Sequence, residues 1–385
     1  MSAYTGILNI KLDQIQSTIF RFINSDMRIL HVITSLHVGG AEKLMVDLLP
    51  RLKASGVDVE LLLFNGTRTM FFEQLEKENV KIHVFSEGGN VYNPKNLFRL
   101  YGFLKKNKFD IIHSHNTAPQ LFAAVVSMFL PINLVTTEHN TTNRRRNWKL
   151  YKMVDKWMYS RYKTIVCISD KAEENLTSYL DKKNIQKCVT AYNGVDINKF
   201  LNATSDSSLK SDKIIVTMVA GFRHQKDQDT LIKAFALLPQ GKFELWLVGD
   251  GVRRTDLDEL VKSEGISDST KFWGIRNDIP SILKSSDIVV MSSHYEGLSL
   301  SSIEGMAVGK PFIASAVDGL REITEGAGVL FEEGNYEQLA DLIFDLSNNP
   351  ELYKKVSDKC LQRAHQYDIS KMLEGYLAIY LELYN

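Results

Sequence analysis

The sequence predicts an α/β protein made of two doubly wound parallel sheets. Three observations carry that expectation. Short apolar runs alternate with amphipathic segments, and hairpin signals are few, which is the pattern of parallel strands with helices on both faces. At 385 residues the chain exceeds what one ordinary core holds. A polar, aperiodic stretch at 201–212, LNATSDSSLKSD, interrupts the alternation, which then restarts.

Taken in order, residues 1–26 form an amphipathic extension with Ile7, Leu8, Ile15, Ile19 and Phe20 among its apolar positions. It suits a helix packed on the first domain or lying on a membrane surface. A first domain follows at 27–200. Its strands are RILHVIT, VELLLF, KIHVF, DIIHSH, NLVTTEH and TIVCIS, and its helices include the stretch with Leu44, Leu48, Leu49 and Leu52 on one side. After the 201–212 linker a second domain spans 213–368. Its strands are IIVTMVA, FELWLVG, KFWG, DIVVMSS, PFIAS and GVLF. The tail reads as two helices broken near Tyr367–Ser370, with Ser370 as a candidate cap. The last of them is apolar enough to require a docking surface.

Bulk properties exclude several classes. With 44% apolar and 24% charged residues the composition is that of a globular protein. No apolar run reaches the length of a membrane span, and the N-terminus lacks a signal-peptide pattern. The three cysteines, Cys167, Cys188 and Cys360, are scattered and support neither a disulfide framework nor a zinc site. A cytoplasmic protein is the expectation. Net charge is zero, which gives nucleic acid little support as a partner. The charge is uneven, however: residues 1–200 hold 27 basic and 18 acidic residues, and residues 201–385 hold 19 and 28. The first half suits an anionic surface.

Six stretches carry candidate chemistry. Ser292–Ser315 places Glu296 and Glu304 around a Gly/Ser turn between two apolar strands. A helix starting near Ser299 directs the free N–H groups around Leu300 and Ser301 at that turn, an anion seat at the carboxyl end of a strand. Arg223 and Lys226, in VAGFRHQKD, lie between a strand and a helix and suit a diphosphate. The DxD-like Asp227-Gln228-Asp229 falls at a helix start, where acids serve as N-terminal charges rather than metal ligands. Gly39-Gly40 sits between the first strand and its helix, where glycine admits close approach of a ligand, although no GxGxxG fingerprint is present. His113, Ser114 and His115 end one strand, and Glu138, His139 and Asn140 end the next. Finally, Arg144–Lys163 interleaves basic and aromatic residues, including Arg144, Arg145, Arg146, Trp148 and Lys149. That suits an anionic membrane surface, or a solvated helix whose aromatics pack inward.

In order and spacing, HVGGAEK, DIIHSHN, TEHN, NGVD, GFRHQKD and EGLSLSSIEGMAVGKP resemble the retaining GT-B glycosyltransferases of family 4, the group 1 transferases, over about residues 28–385. The resemblance implies two facing Rossmann-like domains, with the C-terminal helix 369–385 returning to the first, acceptor-side domain. It implies a nucleotide-sugar donor, UDP-linked as in much of the family, and a saccharide or lipid-linked acceptor. Arg223 and Lys226 would hold the donor diphosphate, and Glu304 the ribose. Glu296 would hold the sugar beside the backbone of Leu298, Ser299, Leu300 and Ser301. Gly39 and Gly40 would approach the phosphate, His115 would lie near the donor sugar, and Ile275 and Arg276 near the base. Neither metal nor cofactor is expected. The implied setting is surface polysaccharide, capsule, lipopolysaccharide or glycolipid synthesis, with peripheral attachment to the inner membrane face. An epimerase-like or non-catalytic protein of the same architecture is the alternative.

Overall fold

The computed structural model describes residues 26–37, 39–139, 149–205, 209 and 211–384. The expected extension at 1–26 therefore lies almost wholly outside the described residues. The chain divides into two compact units: one runs to Tyr192 and includes the tail from Ser370, and the other is Asn193–Ile369. The division falls ahead of the 201–212 stretch, because Ile197 and Phe200 of the helix Ile197–Leu201 are buried in the second unit's core.

In the first unit seven parallel strands are β1 (Arg28–Ile33), β2 (Asp58–Leu63), β3 (Lys81–Val84), β4 (Ile111–His115), β5 (Asn133–Glu138), β6 (Thr164–Cys167) and β7 (Cys188–Thr190). Their order is β3-β2-β1-β4-β5-β6-β7. β1 and β4 are apolar or buried almost throughout, as strands covered on both faces must be. The helix Gly40–Ala54 buries Leu44, Leu48, Leu49 and Leu52. The last helix, Ile369–Tyr384, begins one residue before Ser370, so Ser370 lies in its first turn rather than at the cap. It buries Met372, Tyr376, Leu377, Ile379 and Tyr380, the docking that its apolar sequence requires.

The second unit holds β8 (Ile214–Val219), β9 (Phe243–Val248), β10 (Thr270–Gly274), β11 (Ile288–Met291), β12 (Phe312–Ser315) and β13 (Val329–Phe331). They are parallel, in the order β10-β9-β8-β11-β12-β13. In each sheet the strand order reverses beside its first strand, between β1 and β4 and between β8 and β11. That reversal opens a crevice at the carboxyl ends, where such sheets bind ligands. Among the described residues no helix is long and apolar enough to cross a membrane.

Candidate functional site

The second unit's crevice is built from the loops after β8 and β11. After β8 the chain makes a 3-10 turn, His224–Lys226, and Asp227 takes a left-handed conformation at φ 48°. Its side chain accepts from the Thr230 N–H and caps the helix Gln228–Ala236. Asp229 is gripped by the Arg253 guanidinium. Burial pushes the Asp229 carboxyl up, but the hydrogen bonds from Arg253 outweigh it and hold the group below its ordinary range. The two acids are thus a cap and an ion-pair partner, as their place at a helix start implies.

After β11 the chain folds back onto that turn. Ser292 Oγ donates to the Asp227 carbonyl at 2.7 Å, the His294 N–H to the Gln225 carbonyl at 2.9 Å, and Gln225 Nε2 to the Tyr295 carbonyl at 2.9 Å. Stitched in this way, the loops bring Lys226 Nζ within 2.5 Å of Glu296 Oε1, which also accepts from Ser293 Oγ at 2.7 Å. Beneath them lies Gly319, at φ +81°. A Cβ there would sit 2.2 Å from the Gly297 carbonyl oxygen, so only glycine fits.

Arg223 is exposed and has no ion-pair partner among the described residues. Its loop is set by the one after β9, where Phe222 N–H donates to the Asp250 carbonyl at 2.9 Å. The helix Leu300–Ala307 starts at this crevice with Ser299 as its cap residue, and no side chain caps it. Its first N–H groups face the Glu296 loop. Leu298 and Ser299 are buried, while Leu300, Ser301 and Glu304 are half-buried. At the end of β10, Ile275 is 68% exposed. Arg276 forks onto Asp278 at 2.8 and 2.6 Å and lies over the Trp273 ring at 5.3 Å. A cation, a carboxylate and a helix N-terminus therefore converge at the reversal point, an arrangement suited to a phosphate beside a hydroxylated group. Ser293, Gly319 and His294, which bonds Glu333 at 2.8 Å, are site residues that sequence reasoning missed. The Asp318-Gly319 dipeptide, a turn signal, was the available clue to Gly319.

The first unit's crevice is different. Asn116, at φ 65°, joins its two sides, donating from Nδ2 to Thr34 Oγ1 at 3.0 Å and to Glu42 Oε1 at 3.3 Å. Gly39 is the extended residue before the helix, and Gly40 is its first residue, with nothing within 4 Å of an added Cβ. His115 does not line an open surface. It is fully buried, with Nε2 bonded to His31 Nδ1 at 3.0 Å and Nδ1 to His139 Nε2 at 3.1 Å. Both His115 nitrogens are thus engaged within the protein. His31 Nε2 meets Tyr380 Oη at 3.2 Å, and Tyr380 Oη meets His113 Nδ1 at 2.6 Å. His113 Nε2 reaches Thr137 Oγ1 at 2.8 Å. Potential ligand atoms of His31, His113 and His115 lie within 4.8 Å of one another, but every ring nitrogen of the three is spent on a hydrogen bond. Burial holds all four imidazoles neutral, His31 down to about 3 and His139 to about 4.

Arg144, Arg145, Arg146 and Trp148 lie outside the described residues, and Lys149 opens the helix Lys149–Arg161. The aromatics of this stretch divide: Tyr159 and Tyr162 are buried, and Tyr151 is exposed.

Known proteins resemble this chain in sequence and in fold. Residues 38–199 match the sequence family described as Glycosyltransferase Family 4, and residues 199–363 match Glycosyl transferases group 1. An uncharacterized glycosyltransferase of Haemophilus influenzae is 28% identical over 352 residues, covering 89% of this chain and 96% of the relative. The Escherichia coli UDP-Gal:alpha-D-GlcNAc-diphosphoundecaprenol alpha-1,3-galactosyltransferase is 26% identical over 313 residues, 75% of this chain and 79% of the relative. Anabaena HepE in complex with UDP superposes with a TM-score of 0.81 at 21% identity, covering 92% of this chain and 100% of HepE. Matched in succession by the two families from residue 38 to residue 363, and folded as two parallel-sheet Rossmann-like domains, the chain is a glycosyltransferase of GT-B architecture.

Proposed function

We propose that this glycosyltransferase moves a hexosyl or N-acetylhexosaminyl unit, with retention, from a UDP-sugar to a saccharide or lipid-linked acceptor in surface polysaccharide or glycolipid synthesis. The observation that carries this reading is the Lys226–Glu296 contact at the β8/β11 crevice, beside a helix N-terminus and Arg223, which has no ion-pair partner among the described residues. The names of similar proteins support it. One uses UDP-Gal and a diphosphoundecaprenol-linked acceptor, and HepE was solved with UDP and with UDP-glucose.

The mechanism follows from charge. When the bond from the anomeric carbon to the diphosphate breaks, the electron pair stays on the phosphate oxygen. Lysine carries three donors, so Lys226 keeps two for phosphate oxygens while holding Glu296. Arg223 offers its planar fork, and the helix Leu300–Ala307 its N–H groups. These cations supply the neutralisation that the leaving group needs, so the proposed reaction is metal-independent. Glu296, held through Oε1 by Lys226 and Ser293, is assigned to sugar hydroxyls rather than to nucleophilic attack. The acceptor hydroxyl therefore attacks from the leaving-group face, and its proton passes to the departing phosphate oxygen. Glu304 takes the ribose hydroxyls, and Ile275 and Arg276 lie near the base. Gly39 and Gly40 are assigned to close approach of the phosphate, and His139 replaces His115 as the strand-end imidazole offered to substrate.

A panel of UDP, GDP and ADP and their sugars tests the donor. A ligand at a hundred times its Kd adds about 2.7 kcal/mol, seen as a rise in melting temperature. No rise with any nucleotide overturns the assignment. An epimerase-like or non-catalytic protein would bind without transferring sugar to an added acceptor.

Peripheral attachment to an anionic membrane belongs to the same proposal. Residues 91–109 and the helix Lys149–Arg161 contain one acid between them, Asp155, and it is buried. Within them Phe98 and Met153 stand exposed at 73% and 72%, and Phe129, outside them, is exposed at 67%. Flotation with vesicles rich in anionic lipid is the measurement. Unchanged binding after Arg144→Gln, Arg145→Gln and Arg146→Gln removes those arginines from the surface.

A further inference from the structure

The first unit holds a chain of polar groups of which the proposed transfer chemistry uses only the end member, His139. From one end to the other it runs His139, His115, His31, Tyr380, His113, Thr137 and Tyr376. The last link is Thr137 Oγ1 to Tyr376 Oη at 3.2 Å. Every member except His139 is fully buried. Two tyrosines one helical turn apart, Tyr376 and Tyr380, bring the C-terminal helix into contact with strands β1, β4 and β5.

Proton counting gives this chain a direction. A neutral imidazole has one N–H and one lone pair, and each hydroxyl has one proton, so every link must point the same way. The far end decides which way. The Tyr376 hydroxyl is enclosed, and its single hydrogen-bond partner among the described residues is Thr137 Oγ1. Its proton therefore goes to Thr137, since the reverse polarity would strand a donor in the core. Thr137 then donates to His113 Nε2, His113 Nδ1–H to Tyr380, and Tyr380 to His31 Nε2. His31 Nδ1–H donates to His115 Nε2, and His115 Nδ1–H to His139 Nε2. His139 is left with its proton on Nδ1, at the half-buried end of β5.

We infer that Tyr376 and Tyr380 are positioning residues which, through three buried histidines, fix His139 as a neutral Nδ1–H donor for a ligand oxygen at the carboxyl end of the first sheet. All four histidines then share the Nδ1–H tautomer, which free histidine disfavours. The ligand role rests on the proposed transfer of a sugar; the tautomers do not.

The experiment is long-range 1H–15N correlation spectroscopy on the full chain labelled with 15N-histidine at pH 7.5. The expected spectrum shows His31, His113, His115 and His139 as Nδ1–H. An Nε2–H signature at His139 or His115 in the unaltered protein overturns the inference, and this arm needs no variant to fold. Tyr380→Phe cuts the chain at its middle. The Nε2–H form should then appear at His31, His115 and His139 together, a change that simple loosening of the helix would not produce. Unaltered tautomers in this variant overturn the positioning role. For the ligand arm, His139→Asn places an amide N–H where Nδ1–H stood, and His139→Gln places it at Nε2. With UDP-glucose as the probe, hydrolysis by the Asn variant should exceed that by the Gln variant by roughly tenfold. Equal rates remove the oxygen contact while leaving the tautomer result standing. Absence of UDP-glucose binding in the unaltered protein counts against the donor proposal alone.

Discussion

Lowering the pH from 7.5 to 5.5 should loosen the first unit and spare the second. His31, His113 and His115 are fully buried and neutral, with burial as the largest cause of their depressed values. In the unfolded chain each takes up a proton near pH 6.5. A group whose folded value lies below its unfolded one gives the unfolded state more protons, so stability falls as pH falls through 6.5. The full contribution is present above pH 6.5, and it is lost progressively down toward about 3 for His31. One pH unit below 6.5 costs about 1.4 kcal/mol per imidazole. Three give about 4 kcal/mol at pH 5.5, and His139, lowered to about 4, adds about 1 more. Glu42 works the other way, because burial raises its carboxyl, but it is one group against four. Against a typical domain stability of about 5–15 kcal/mol the loss is large. Hydrogen exchange read by mass spectrometry and corrected for intrinsic rates measures it. Protection of peptides covering β1 and β4 should fall about a thousandfold or more, while β8 and β11 serve as the internal reference. A relative change below tenfold would refute the reasoning, because it would mean that the imidazoles are not held neutral.

Other expectations concern the second unit. Lys226→Ala should lower turnover about a hundredfold to a thousandfold, the scale of losing one preorganised donor to developing charge; near-normal turnover in a transfer assay removes the leaving-group role. Glu304→Ala should weaken nucleotide binding about tenfold or more, and calorimetry showing the same affinity as the unaltered protein would count against ribose contact. Gly319→Ala forces a Cβ onto the Gly297 carbonyl at a positive φ. It should cost about 2 kcal/mol or more and displace Glu296. Gly334→Ala, also at positive φ but facing open space, should cost only about 1 kcal/mol, so equal melting temperatures for the two variants would sink the clash argument.

The strands were readable because sheets covered on both faces demand continuous apolar runs, and RILHVIT or DIVVMSS admits few other readings. β7 was not, since Cys188–Thr190 is three residues long and half-buried. The helices Met70–Lys77 and Asp170–Thr177 bury only two residues each, too few to show a period. At the site, residue types and loop positions were legible, but partnerships were not. Lys226 and Glu296 lie 70 residues apart and meet only because β8 and β11 are neighbours. The same limit hid the histidine chain. His31 lies directly across from His113 in the β1–β4 register, a pairing no local pattern reveals. The spacing of Tyr376 and Tyr380 was visible, and two hydroxyls on one apolar helical face already required buried partners.

The return of the last helix also fixes an order of events during synthesis. The first unit's strands are complete by Thr190, yet the tyrosines that satisfy His31, His113 and Thr137 are made some 190 residues later. At about 5–20 residues per second that interval is about 10–40 s. Throughout it the nascent unit lacks the hydroxyls that these groups bond, while the second unit, bounded by Asn193 and Ile369, is completed first. The half of the protein that leaves the ribosome first is thus the last to close. A chain released a few residues short of Tyr376 would carry a finished second unit and an unfinished first one.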